Sequence, residues 1–165
     1  MEASRYYTEH MSTEQTWQTK STSLEETLRL AEQIGHNLRG GEVIELISDL
    51  GGGKTTFTRG LARGIGSEDA VHSPSFTISN QYTSNNLTIH HFDFYRLMEP
   101  GIMREELSEI LDDPKAVAVI EWGDIVSDVL PIDRITIRIS ALAESERDIV
   151  IQVPKEKAYL LEFNT

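Results

Sequence analysis

The stretch Ser48 to Gly60, SDLGGGKTTFTRG, constrains the fold more than any other part of the sequence. Three consecutive glycines run directly into a lysine and two threonines. A run without side chains lets successive backbone N–H groups curl around an anion, because any Cβ atom there would obstruct the approach. The same run also suits a loose linker, so the choice between an anion-binding loop and a linker depends on the segments on either side of it.

The flanking segments favour a phosphate-binding loop. Val43 to Ile47 is a short apolar strand candidate that ends at the glycines, and a helix is predicted from about Thr55 to Gly64. One apolar stripe on that helix is formed by Phe57, Leu61 and Ile65. The order strand, glycine loop, helix is the order of a loop that holds the phosphates of a nucleotide.

Each residue type in the loop has a role in such a site. Gly51, Gly52 and Gly53 would bring the backbone against the anion, and Lys54 would add a positive charge near the β and γ phosphates. The Thr55 hydroxyl would ligate the Mg²⁺ that bridges them, and the following helix points its positive N-terminus at the same place. We therefore predict a triphosphate site.

The loop departs from the usual phosphate-loop pattern at its first position. That pattern has glycine six residues before the lysine, whereas this chain has Ser48 there. A serine keeps the loop possible if its backbone angles are ordinary. The alternative is a glycine-rich turn that carries GKTT without holding a ligand.

The remaining patterns predict an α/β fold, a P-loop NTPase-like mixed β-sheet flanked by helices. Residues 1–20 lack a sustained period and are predicted to be a flexible tail, and residues 21–165 a single domain. The predicted elements after the tail are a helix capped by Ser23 and Glu26, a hairpin of Phe76–Tyr82 with Leu87–Phe94, a helix over Arg104–Leu111, a buried central strand over Ala116–Trp122, and a terminal hairpin around Ile137 and Ile151.

Composition narrows the class of protein and its partners. The chain has 165 residues, no cysteine and no apolar run long enough to span a bilayer, so we expect a soluble, cytoplasmic protein without disulfides or thiolate metal sites. Its formal net charge of −12 opposes tight unaided binding to a polyanion such as RNA. Any contact with RNA is expected to be indirect, through a partner protein.

Two carboxylates follow predicted strands, at the end of the sheet where α/β folds bind their ligands. Asp93 closes the run LTIHHFD and Glu121 closes AVAVIE, and each would hold Mg²⁺ or orient an attacking water. The alternative is that they cap strands or pair with an arginine such as Arg96. His90 and His91 next to Asp93 point to opposite faces of a strand, so they are expected to support the structure or to contact a metal ligand from behind, and not to form a metal cluster.

Four segments together resemble one known family. In order and spacing, DLGGGKTTFTRGLARGIG, SPSFTISNQY, HHFDFYRL and AVIEW are similar to the bacterial TsaE family, a small P-loop ATPase of tRNA threonylcarbamoyladenosine synthesis. The resemblance spans about Ser23 to Val153. It implies ATP and Mg²⁺ as cofactors and TsaB-like and TsaD-like proteins as partners, with the TsaD-like partner performing the modification.

The resemblance also implies roles for individual residues. Gly51 to Thr56 would grip the phosphates, Thr55 and Glu121 would ligate Mg²⁺, and Asp93 would be the Walker-B-like carboxylate. Trp122 would lie close to the nucleotide, the alternative being an ordinary core tryptophan. The further implied positions are Ser23 and Thr27 beside the adenine, and the phosphate-sensing segment SPSF, in which Ser75 replaces a threonine.

Two other functional classes share the loop. A small-molecule kinase would need an acceptor pocket and an arginine-bearing lid, and no segment of the sequence clearly supplies them. A GTPase-like switch would carry the guanine-reading pattern Asn-Lys-x-Asp, which the sequence lacks. Partner-dependent ATP hydrolysis remains the principal prediction, with Lys54, Asp93 and Glu121 as its catalytic residues.

Overall fold

The computed structural model describes residues 14–49 and 51–163, and within this part of the chain seven strands form one mixed sheet. The strands are β1 (Glu14–Ser21), β2 (Val43–Ile47), β3 (Ser79–Thr83), β4 (Thr88–Asp93), β5 (Ala116–Glu121), β6 (Ile135–Ala141) and β7 (Arg147–Pro154). The helices are α1 (Leu24–Asn37), α2 (Lys54–Gly64) and α3 (Gly101–Leu111), with 3₁₀ turns at Gly123–Val126 and Lys155–Leu161.

The centre of the sheet is parallel and its two edges are antiparallel. The strand order is β1-β7-β6-β2-β5-β4-β3, with β2 parallel to β5 and β6, and β4 parallel to β5. The carboxyl ends of β2, β4 and β5 therefore meet at one end of the sheet, where ligands bind in open α/β folds. The register sets Asp93 opposite Glu121.

Alternating residues of the central strands divide the core into two layers. Val117 and Val119 of β5 join the larger cluster under α1 and α2, whereas Ala118 and Ile120 join a smaller cluster with Leu107 of α3. This period of two assigns α1 and α2 to one face of the sheet and α3 to the other. The side chains of Asp93 and Glu121 belong to the α2 face by the same alternation.

Helices α1 and α2 touch through their backbones. A Cβ atom on Gly60 would lie 2.6 Å from the Leu28 carbonyl oxygen, and one on Gly64 would lie 2.3 Å from the carbonyl oxygen of Glu32. A Cβ on Gly35 would meet the Leu61 carbonyl oxygen at 2.5 Å. Only glycine allows this close approach.

Most predicted elements are present with shifted ends, and one prediction is wrong. Residues 14–20 do not belong to a flexible tail, because they form most of β1, which pairs antiparallel with β7 along its whole length. The rest of the predicted tail, residues 1–13, lies outside the described residues. The hairpin strand predicted from Phe76 begins only at Ser79, because Ile78 has a left-handed backbone with φ 67° that interrupts an extended strand. No helix in the described ranges is long and apolar enough to cross a membrane.

Candidate nucleotide site

The glycine loop connects β2 to α2, as the sequence predicts, and each glycine has its own reason. Gly51 has φ 75° and Gly53 has φ 109°, both in the left-handed region that other residues avoid. Gly52 is different, because a Cβ atom there would lie 1.6 Å from the Ser48 hydroxyl oxygen. Ser48 itself is accommodated in the space that Gly52 leaves open.

Lys54 is buried at the start of α2. Its side chain is only 7% exposed, and its Nζ donates a hydrogen bond of 2.9 Å to the carbonyl oxygen of Ser48. The same Nζ lies 4.9 Å from the centroid of the Trp122 ring. The ammonium group is thus held inside the loop, where its charge attracts an anion.

Arg147 fastens the loop from the other side, and the sequence analysis missed it. Its Nε donates to the Gly52 carbonyl oxygen at 3.0 Å, and its Nη1 donates to the carbonyl oxygens of Ala143, Glu144 and Glu146. The guanidinium therefore ties the β6–β7 connection to the glycine loop. An arginine at the start of a strand carries no local signal of such a role, since the two segments are far apart in the chain.

Asp93 is bound by the segment that precedes β3, which we call the serine segment, Ser73–Ile78. The Ser75 hydroxyl donates to Asp93 Oδ2 at 2.9 Å, and the backbone N–H of Tyr95 donates to Oδ1 at 2.9 Å. The hydroxyls of Ser73 and Ser75 lie 2.8 Å apart. Asp93 does not pair with Arg96, whose guanidinium lies over the Phe76 ring at 4.7 Å.

Glu121 is buried and engaged by a histidine. His91 Nε2 lies 2.7 Å from Glu121 Oε1, and the His91 side chain is fully buried. On the far side of that ring, His91 Nδ1 lies 3.4 Å from the Tyr82 hydroxyl, which donates to the His72 carbonyl oxygen at 2.8 Å. Burial is the main cause that raises the pKa of Tyr82, so its hydroxyl stays protonated as a donor.

The two histidines face opposite sides of β4, as the strand period predicts. His90 lies on the α3 face, where burial lowers its pKa against the opposing charges of Asp113 and Glu106. His91 contacts a candidate metal ligand and His90 does not. Among the described residues, no group of three or more histidine or acidic side chains is arranged to hold a metal by itself.

Trp122 is a partly exposed wall of the site, not a core residue. It is 38% exposed, its ring centroid lies 4.9 Å from that of Tyr95, and its backbone is left-handed with φ 57°. Trp122 and Ile78 are the non-glycine residues with positive φ in the described chain. Both flank the carboxylates, and backbone strain of this kind concentrates at functional sites.

Two adjoining pockets bring the predicted site residues together. One, with a volume of about 260 Å³, is lined by Gly51 to Thr56, Ser73, Ser75, Asp93, Glu121 and Trp122. The other, of about 160 Å³, shares Gly53 and Thr56 with it and is also lined by Ser23, Leu24, Thr27, Glu144, Ser145 and Arg147. All residues that the sequence analysis named for phosphate, metal and adenine line one or other pocket.

The adenine candidates Ser23 and Thr27 are already engaged within the protein. Ser23 caps α1 by accepting from the Glu26 N–H at 3.2 Å, and the Thr27 hydroxyl lies 2.7 Å from that of Ser21. Thr27 is 3% exposed, so an adenine base in this pocket would contact only the exposed edge of the Thr27 side chain and not a free hydroxyl group.

The lining residues fit a magnesium–triphosphate group. The left-handed glycines form a cradle that a side chain would fill, and Lys54 supplies a cation. The Thr55 hydroxyl and the carboxylates of Asp93 and Glu121 are oxygen donors, which Mg²⁺ prefers. Because Mg²⁺ keeps several waters and shares phosphate oxygens, one or two protein ligands are sufficient.

Fold and pocket lining define the class as an α/β protein with a P-loop-like fold and a candidate nucleotide site. A family model described as "Threonylcarbamoyl adenosine biosynthesis protein TsaE" matches residues 21–149. The chain belongs to the TsaE family.

Individual relatives agree with this assignment. The chain is 36% identical over 133 residues to the tRNA threonylcarbamoyladenosine biosynthesis protein TsaE of Bacillus subtilis, a match that covers 79% of this chain and 81% of the relative. The TsaE protein of Treponema pallidum is 35% identical over 131 residues, covering 79% of this chain and 96% of the relative. The crystal structure of Bacillus subtilis YdiB superposes with a TM-score of 0.76 and 31% identity, covering 90% of this chain and 93% of that one.

Proposed function

We propose that this protein binds Mg–ATP in the larger pocket and hydrolyses it as part of tRNA threonylcarbamoyladenosine synthesis. One observation carries the proposal: the glycine loop with Lys54 faces two buried carboxylates, Asp93 and Glu121, across one pocket. In this proposal the glycine loop binds the triphosphate, and the two carboxylates hold the metal and orient the attacking water. Family membership supplies the biosynthetic context.

The charges of the pocket support a metal-dependent reaction. Two carboxylates and a polyphosphate repel one another unless a cation lies between them. Lys54 supplies one positive charge, and Mg²⁺ held by Thr55 and Glu121 would supply the rest. In this proposal Asp93 orients the water, after release from the Ser75 hydroxyl that holds it at 2.9 Å.

We propose that the protein acts with TsaB-like and TsaD-like partners in the cytoplasm and meets tRNA only through them. The formal net charge of −12 argues against direct RNA binding. Large apolar side chains are exposed close to the site in sequence, namely Phe76 at 84%, Met98 at 90% and Ile102 at 79%. Phe76 belongs to the serine segment, so a partner that covers it would also order the residues that hold Asp93.

The test is nucleotide-induced stabilisation of the wild type and of Lys54→Ala. A ligand that binds only the native state adds about 2.7 kcal/mol at one hundred times its Kd. We expect Mg–ATP to raise the melting temperature of the wild type and of the matched control Lys115→Ala, whose lysine is exposed on the surface. Lys54→Ala is expected to lose most of the rise measured against its own ligand-free form.

Three results would contradict the proposal. An equal rise in Lys54→Ala would remove the phosphate-loop assignment. A rise with GTP but not ATP, or a phosphorylated acceptor in place of free phosphate, would favour a GTPase-like switch or a kinase.

A further inference from the structure

A row of buried polar groups crosses three adjacent strands behind the nucleotide pocket. It runs from Glu121 on β5 to His91 on β4 and Tyr82 on β3, and it ends at the carbonyl oxygen of His72. Its successive distances are 2.7, 3.4 and 2.8 Å. The three side chains are exposed by 3%, 0% and 2%, so water does not supply these bonds.

The row is costly to bury, and packing alone does not account for it. The neighbouring positions on the same face, Ile89 and Val119, are apolar and fully buried. A buried polar side chain is tolerated where it has polar partners, and here each group lies within hydrogen-bonding distance of the next, with the Tyr82 proton donated to the His72 carbonyl oxygen. Removing the Tyr82 hydroxyl takes away the polar group that His91 Nδ1 faces.

The far end of the row lies at His72, the residue immediately before the serine segment. The Tyr82 hydroxyl and the Asn80 side-chain amide both donate to the His72 carbonyl, at 2.8 and 3.2 Å. Three residues later the Ser75 hydroxyl binds Asp93, and Asp93 pairs in register with Glu121. Ser75 thus fastens Asp93 to the serine segment, and the row from Glu121 ends at His72, the residue just before that segment, while the two carboxylates stand on paired positions of adjacent strands.

We propose that His91 and Tyr82 are positioning residues that hold Glu121 and the serine segment in one arrangement, so that Glu121 presents its second oxygen, Oε2, to the metal. The inference rests on the proposed function, since it assigns Glu121 to Mg²⁺. His91 fixes Oε1 and Tyr82 fixes the ring of His91. A change in the serine segment is then transmitted to the metal carboxylate through Tyr82.

The decisive substitution removes one hydroxyl and nothing else. Tyr82→Phe keeps the ring and breaks the bonds to His72 and His91. Its matched control is Tyr159→Phe, because the Tyr159 hydroxyl also donates to a buried carboxylate, Glu42, at 2.7 Å, but away from the pockets. Glu121→Gln gives the size of the effect when the metal carboxylate itself is lost.

The first measurement is the Mg²⁺ concentration at half-saturation of equilibrium ATP binding. Loss of a group that orients a metal ligand lowers metal affinity by about 10-fold to 100-fold. We expect a rise of that order for His91→Leu, a smaller rise for Tyr82→Phe, no rise for Tyr159→Phe, and partial rescue in His91→Gln, whose amide can still donate to Glu121. ATP binding in excess chelator is expected to be equal in Tyr82→Phe and the wild type.

The second measurement needs no nucleotide. Amide hydrogen exchange of the peptide spanning residues 72–78 is expected to be faster in Tyr82→Phe than in the wild type or Tyr159→Phe, because the His72 carbonyl loses the shorter of its two hydrogen bonds and keeps only that from Asn80. Unchanged exchange together with an unchanged Mg²⁺ midpoint overturns the inference. If the wild type binds no nucleotide, the proposed function and the assignment of Mg²⁺ to Glu121 both fail, and the exchange rates alone decide whether Tyr82 anchors the segment.

Discussion

At the scale of single residues, Ser48 and Gly52 form a coupled pair. The loop lacks the usual glycine at its first position, and the structure explains how it tolerates a serine. A Cβ atom on Gly52 would lie 1.6 Å from the Ser48 Oγ and 2.9 Å from its Cβ. A side chain at position 52 therefore collides with Ser48, and it also lies 3.0 Å from the carbonyl oxygen of Asp49.

We predict that Gly52→Ala weakens nucleotide binding and lowers the melting temperature, and that Ser48→Gly restores most of both in the double variant, since only the contact with the Asp49 carbonyl oxygen then remains. Residues in direct contact show coupling energies of about 0.5–3 kcal/mol, and a double-mutant cycle measured by thermal denaturation gives this value. The control is Gly51→Ala, where a Cβ atom meets nothing within 4 Å but φ is 75°. Its cost of about 1–2 kcal/mol is backbone strain, which Ser48→Gly does not relieve.

Equal penalties for Gly52→Ala with and without Ser48 would show that the two residues are independent.

The sequence predicts that the glycines make room for an anion, but it does not say which glycine is needed for which reason. That distinction depends on φ angles and on a contact within the loop. The bond from Arg147 to Gly52 and the contact of His91 with Glu121 are hidden for a similar reason, because both depend on how separate strands come together.

At the scale of secondary-structure elements, β1 is the piece that sequence patterns could not find. Its eight residues, EQTWQTKS, have one large apolar side chain, Trp17, and most of the others are exposed. An edge strand is held largely by backbone hydrogen bonds, which any sequence can make. The central strands were predictable because burial on both faces demands continuous apolar runs, as in AVAVIE.

We predict that Trp17→Ala lowers stability without weakening nucleotide binding. Trp17 is half-buried and packs edge-on against Phe163 with ring centroids 5.4 Å apart. Full truncation of a buried tryptophan costs about 3–5 kcal/mol, so about half of that is expected here. The corresponding fall in melting temperature is about 4–8 °C for a chain of this size.

The control for this prediction is Thr16→Ala, an exposed neighbour on the same strand, which is expected to melt like the wild type. If Trp17→Ala also melted like the wild type, β1 would contribute nothing measurable to the fold. A loss of nucleotide binding at temperatures where the variant is folded would instead connect β1 to the pockets through Ser21 and Thr27.

At the scale of the whole molecule, the positions of the arginines indicate that, within the described part of the chain, the pocket proposed for Mg–ATP lacks an arginine in the isolated protein. Arg59 and Arg63 lie on α2, Arg96 stacks on Phe76, and Arg134 pairs with Glu45. Arg147 is occupied with carbonyl oxygens of the loop. Among the described residues, no arginine lines the pocket that we propose for Mg–ATP, where charge would develop during phosphoryl transfer.

We predict slow ATP hydrolysis by the isolated protein and acceleration by a TsaB–TsaD-like pair. Where a partner supplies an arginine to a P-loop site, the rate rises by about 10³ to 10⁵. Phosphate release is measured for the protein alone and after addition of the pair, with Lys54→Ala as the blank. Equal rates, with binding of the pair confirmed separately, would refute partner activation and leave the nucleotide site intact.

The glycines between α1 and α2 determine which part of the molecule can yield when a ligand arrives. Because Gly60 and Gly64 set backbone against backbone, neither helix can slide past the other without a collision. One helix begins beside Ser23 and the other begins with Lys54, so two walls of the site behave as a single stiff body. We expect the loss of conformational entropy on binding to fall on the segments outside this body, the serine segment among them, and ligands that do not reach that segment to bind with a smaller entropic penalty.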